Sequence, residues 1–160
     1  MKQTRKILTV LAALIVTSFI NCHAQSAEVG KAFQNIVQKH EGTKGVTCMT
    51  AAKGSGLEIM KMMFNKEFGK DFMKGVTSIT FIEYGDAPEA TCAALRKDLD
   101  TFTSLLEEID LSGEKQFADN KYLRCFASAS GENTVSDFVI AIEDDEAKML
   151  MYMAGTIKME

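Results

Sequence analysis

The chain has 160 residues, 46% of them hydrophobic and 25% charged, with a net charge of −4 at pH 7. That length suits one domain able to bury a real core, and a single proline with no low-complexity run or repeat leaves no sign of a linker. The acidic surplus disfavours phosphate backbones and anionic lipid, which argues against nucleic acid as a partner.

The first element is a leader. Lys2, Arg5 and Lys6 precede an uncharged, largely apolar run over residues 7–20, followed by the polar step Asn21-Cys22-His23-Ala24-Gln25. A charged start, a short apolar core and a small residue before the cut have the form of a secretory signal peptide. The run is shorter than the roughly 20 residues that span a bilayer, so no transmembrane span is expected. Ala24 fits the position before cleavage, which predicts a signal peptide over residues 1–24 and a single domain over 25–160 starting at Gln25. A lipid anchor at Cys22 is the rival reading. Asn21 disfavours it, because a small residue is usually required immediately before a lipidated cysteine. Cleavage removes three positive and no negative charges, taking the net charge from −4 to −7. The protein is therefore expected in the periplasm or cell envelope.

An amphipathic helix follows. Val29, Phe33, Ile36, Val37 and His40 recur at spacings of three and four, and Gly42 lies where such a helix would end. A short strand is predicted over 46–51. At Ser55-Gly56-Leu57-Glu58 the pattern of a capping box opens a second helix, whose Leu57, Ile59, Met60, Met63, Phe64 and Phe68 cover more than one face. A helix that is apolar all round is expected to be well buried. Residues 70–75 read as a turn, and 77–84 as a strand rich in β-branched and aromatic residues.

The longest helix begins near Asp86, Pro88 and Glu89, with Cys92, Leu95, Leu99, Phe102, Leu106 and Ile109 recurring over about five turns. After a polar stretch at 112–120, strands are predicted over 121–129, 135–143 and 148–158, separated by short turns at 130–133 and 144–146. Short links join antiparallel neighbours. The order predicts an α+β domain of two layers, a mainly antiparallel sheet of about five strands with a C-terminal three-strand meander, covered by three helices.

Several residues invite a chemical reading. Met149, Met151 and Met153 alternate on one strand face and could offer thioether sulfurs to Cu(I), although alternation is also how a strand faces a core. The acidic run at 143–146 lacks the alternate-position oxygens and central glycine of a calcium loop. His40 is the one histidine left after cleavage, and no motif around any serine or cysteine marks an activated nucleophile. Lys53-Gly54-Ser55-Gly56 lacks the longer glycine-lysine signature of a phosphate loop. Three cysteines, Cys48, Cys92 and Cys125, remain after cleavage, so at least one stays unpaired or joins another chain. These residues point to no catalytic centre and to no cofactor.

The leader, the first helix, the short strand before a methionine-rich helix, and the closing Met151-Tyr152-Met153-Ala154-Gly155-Thr156-Ile157-Lys158 resemble a group of small bacterial envelope proteins known only as a domain of unknown function. The resemblance implies an envelope location and a small α+β domain, and it carries no active site with it. The expected activity is that of a non-enzymatic binding module that takes an envelope protein or a small envelope ligand through an exposed sheet face or edge. Tyr122, Arg124 and Phe126, on one face of the strand at 121–129, form the candidate contact patch. A hydrolase with a site built from dispersed acids is the alternative.

Overall fold

The closing strands decide the architecture, because both of their faces are apolar and both must be covered. The computed structural model describes residues 26–68, 70–109, 123–131, 134–143 and 148–158. The leader with Cys22, Ala24 and Gln25, the stretch at 112–120, Tyr122 and the turn at 144–146 lie outside them. Among the described residues the elements run α1 (Ser26–His40), β1 (Thr47–Ala51), α2 (Ser55–Phe68), β2 (Gly75–Glu83), α3 (Glu89–Thr103), β3 (Glu107–Glu108), β4 (Leu123–Gly131), β5 (Thr134–Glu143) and β6 (Lys148–Lys158). The strands make one antiparallel sheet in the order β1-β2-β6-β5-β4-β3. The α+β class and the closing β4-β5-β6 meander follow the expectation.

The helices divide between the faces of the sheet. Met151 pairs in register with Phe81 and Ile140, and Met153 with Ile79 and Phe138. These side chains join Leu57, Met60 and Phe64 of α2 in one core. Leu150 and Tyr152, one residue out of phase, point the other way and meet Val29, Phe33, Ile36 and Val37 of α1 with Cys92, Leu95, Leu99 and Phe102 of α3. The sheet is therefore covered on both faces, where a two-layer arrangement was expected. The sequence sign is the unbroken run Phe138-Val139-Ile140-Ala141-Ile142, buried throughout, which a strand with one solvated face would interrupt with polar residues.

The helix expected to reach Ile109 stops at Thr103, with Ser104 as its C-cap. Hydroxyls cluster at this end: Thr101 Oγ1 donates to Lys97 O at 3.0 Å and Ser104 Oγ to Thr101 O at 2.6 Å. Such bonds offer the backbone an alternative to further helix. The chain then turns to pair Glu107 with Ala127 and Glu108 with Phe126, adding a sixth strand whose two residues carry no apolar alternation to betray it. At the second helix, Glu58 N–H donates to Gly54 O at 3.3 Å. Gly54, at φ +80°, thus holds the cap position expected of Ser55.

The α1/α3 face is also fastened by polar contacts. His40, buried, lies with Nε2 2.6 Å from Asp98 Oδ2, and Lys39 Nζ reaches Oδ1 of the same carboxylate at 2.7 Å, tying α1 to α3. A carboxylate can only accept, so His40 Nε2 carries the proton they share. Burial would raise the Asp98 pKa, but the hydrogen bonds from Lys39 and His40 outweigh it and hold it below the usual carboxylate range. Below these helices the rings of Phe33, Phe102 and Tyr152 pack together, with centroids 4.6 Å apart for Phe33 and Tyr152. Tyr152 donates its phenol proton to the buried carboxylate of Asp137 at 2.7 Å. Burial and that carboxylate both push the Tyr152 pKa upward.

Asp137 sits at φ +52° where the β4-β5 and β5-β6 registers shift, and Gly155 faces the shift at φ +104°. A Cβ on Gly155 would lie 2.3 Å from the carbonyl oxygen of Gly75. Only glycine fits there.

Candidate functional site

The surface that the fold leaves open is centred on α2. Its residues are good helix formers, Met, Lys, Leu and Glu predominating, and the 3.6-residue period sends them to two opposed apolar stripes. Leu57 and Phe64 are buried against the sheet and Met60 packs beside them. Ile59, Met62 and Met63, spaced by three and four, lie on the outer side with exposures of 52%, 67% and 51%. The expectation that α2 would be well buried is corrected here. One helix lying on a sheet covers only its inner stripe, and among the described residues nothing is packed over the outer one.

The end of the helix is tied to the turn that follows it. Asn65 Oδ1 accepts a hydrogen bond from Met73 N–H at 2.8 Å, and Met73, wholly buried, plugs the core below the turn that leaves the helix. Lys66 is exposed on the same outer side, one turn beyond Met62 and Met63, and Lys53 and Lys70 are exposed at the two ends. Lys61 bends towards Glu58, 3.9 Å away.

The strand before α2 adds an open edge. Among the described residues β1 pairs only with β2, so its outer backbone groups face away from the sheet. Its residues, Thr47, Cys48, Met49, Thr50 and Ala51, include no charge and no proline. Met49 stands 59% exposed on the α2 side of the sheet, in register with Phe81. The other edge is β3, two glutamates long, which is the short and charged form that protects an edge.

Near the turn that leaves α2, Asp71, Lys74, Gly75, Thr134, Thr156 and Lys158 line an open depression of about 300 Å³. Lys74 and Lys158 are exposed there. Asp71 lies 3.8 Å from Lys74.

The residues picked out by sequence fall elsewhere. Phe126, expected with Tyr122 and Arg124 in an exposed patch, is 2% exposed and belongs to the α1/α3 core. Arg124 is exposed and covers it, with the guanidinium 4.8 Å from the ring centroid, and it also reaches Asp100 at 2.9 Å and Glu108 at 3.1 Å. A strand in a sheet covered on both faces has no free side for an aromatic, so this pair packs as a lid over the core. Met151 and Met153 are buried and Met149 half-buried, all packed in the α2-side core. Their thioethers fill space between β-branched neighbours.

Among the described residues the cysteines are three free thiols, Cys48, Cys92 and Cys125. Cys92 and Cys125 belong to cores on opposite faces of the sheet and Cys48 to the edge strand. Burial pushes the Cys125 thiol far up and the Cys48 thiol up, the latter with help from Glu41. Both thiols therefore stay protonated, which makes them poor nucleophiles.

The outer stripe of α2 is the exposed apolar surface that sequence reasoning missed. Its signal was present in Ile59, Met62 and Met63 opposite Leu57, Met60 and Phe64, with lysines between them. No protein-family model, curated protein or solved structure matches the chain.

Proposed function

We propose that this is a non-enzymatic binding module of the cell envelope, exported by its leader and processed before Gln25, that engages its ligand through the outer face of α2 and the neighbouring edge strand β1. The observation that carries the reading is the stripe Ile59, Met62 and Met63, more than half exposed at each position. Scattered exposed apolar residues are ordinary, but three on adjacent turns of one helix make a contiguous patch, and such patches mark interaction sites. The uncharged edge of β1, with exposed Met49 on the same side of the sheet, extends the surface towards a mode in which a partner strand adds to the sheet.

The test is a photo-activated cross-linker placed at position 62 in cells that export the protein, with position 97 on the opposite face as control. Adducts with protein or lipid formed at 62 and not at 97 support the reading. Equal labelling at both positions, or none at 62, overturns it. The mass of the processed protein gives the address independently, since a chain beginning at Gln25 and one lipidated at Cys22 differ grossly.

A further inference from the structure

The chain's charge is unevenly spread. Residues 75–160 carry 17 acids against 7 bases, while residues 53–74, the segment built around α2, carry 5 lysines against 3 acids. The overall acidity therefore says little about this surface. Around the stripe, Lys53, Lys66, Lys70 and Lys74 are all exposed, and Lys66 stands within the line of Ile59, Met62 and Met63. Lys158 joins Lys74 at the depression of about 300 Å³, where Thr134 and Thr156 supply hydroxyls.

From this arrangement we infer that the ligand of the α2 surface is an anionic bilayer, on which the helix lies flat with its outer stripe in the interface. This rests on the reading of α2 as the binding surface and names its ligand. On the helix the exposed Glu58 flanks this stripe, Lys66 stands in its line, and Lys53 and Lys70 are exposed at its two ends; an apolar helix face with lysines in reach is the form taken by helices that lie in the membrane plane. The apolar side chains enter the boundary between headgroups and acyl chains, and the lysines meet the headgroup phosphates. Thioether side chains suit such a boundary because they adapt to a disordered partner. A helix resting on a sheet, with its axis along the surface, can place Ile59, Met62 and Met63 at one depth together. The acidic surplus lies in residues 75–160, which the same surface repels.

The experiment uses the processed protein recovered from exporting cells, co-sedimented with vesicles of mixed phosphatidylcholine and phosphatidylglycerol and with vesicles of phosphatidylcholine alone. Binding to the anionic vesicles, weakened as salt is raised, is expected. Replacing Ile59, Met62 and Met63 together by serine is expected to weaken it about ten-fold or more. Lys66→Glu with Lys70→Glu provides a second variant that leaves the apolar contacts in place. It should weaken binding to anionic vesicles and leave the thermal midpoint unchanged. No binding to anionic vesicles, or equal binding by wild type and both variants, overturns the inference. If vesicles are not bound while the cross-linker at position 62 still captures a protein, lipid is ruled out as the ligand and the binding surface stands. Loss of both results removes both readings.

Discussion

The two faces of the sheet are finished differently. On one, α1 and α3 lie side by side, and His40, Lys39 and Asp98 lock them together over a ring cluster and the Tyr152–Asp137 hydrogen bond. On the other, α2 lies alone, held by apolar contacts and by Asn65 beneath the following turn, with its outer side as apolar as part of its inner side. A helix pair tied by directional bonds specifies one arrangement and needs nothing further. A single helix that is apolar on both sides is a surface awaiting cover. The stabilising chemistry and the binding chemistry thus occupy opposite sides of the same strands.

Substitutions can sharpen or break that contrast. The largest effect is expected at Phe33, fully buried between Phe102 and Tyr152. Phe33→Ala should cost about 3–5 kcal/mol in urea unfolding, through lost transfer energy and an unfilled cavity. Tyr152→Phe removes a hydrogen bond to a buried carboxylate and is expected to cost about 1–3 kcal/mol by the same measurement.

Asp98→Asn should cost about 1–2 kcal/mol at neutral pH, with a distinctive pH signature. The folded pKa of Asp98 lies below its ordinary value, so its contribution is complete above the unfolded pKa of about 4 and is lost as pH falls through the folded value. Wild type and variant should therefore converge in stability in acid. Parallel curves through that range would break the assignment.

The smallest effects on stability are expected at Ile59, Met62 and Met63, where each change to serine should stay within about 0.5 kcal/mol. Yet these changes should be the most damaging to binding. A large loss of thermal stability on any one of them would mean that the stripe is core, and would erase the contrast between the faces.

Much of the fold could be read from the sequence because its signals are local. The amphipathic stripe of α1, the β-branched run of β2 and the turns of the final meander each declare themselves within a dozen residues. The end of α3 was not legible, since Leu106 and Ile109 continue the helical spacing after the hydroxyl-rich segment at 101–104 has released the helix. β3 gave no pattern because Glu107 and Glu108 become a strand only by finding Ala127 and Phe126. For the binding surface, composition misled in two ways. The all-round apolarity of α2 read as burial, although a helix on one face of a sheet can be covered on one side only. Phe126 read as exposed because its strand has large groups on both sides, and only the pairing of the sheet decides that both sides are interior.

The place of β6 in the sheet has a consequence for when the protein can fold. The last of the described strands in chain order lies in the middle, bonded to β2 on one side and β5 on the other. Until it emerges, β1 and β2 have no strand joining them to β4 and β5, and both cores lack the residues of β6 that close them. Such long-range pairing slows folding, because the intervening chain must be ordered before the contacts reward it. A chain of this design closes neither core until β6 has joined β2 to β5.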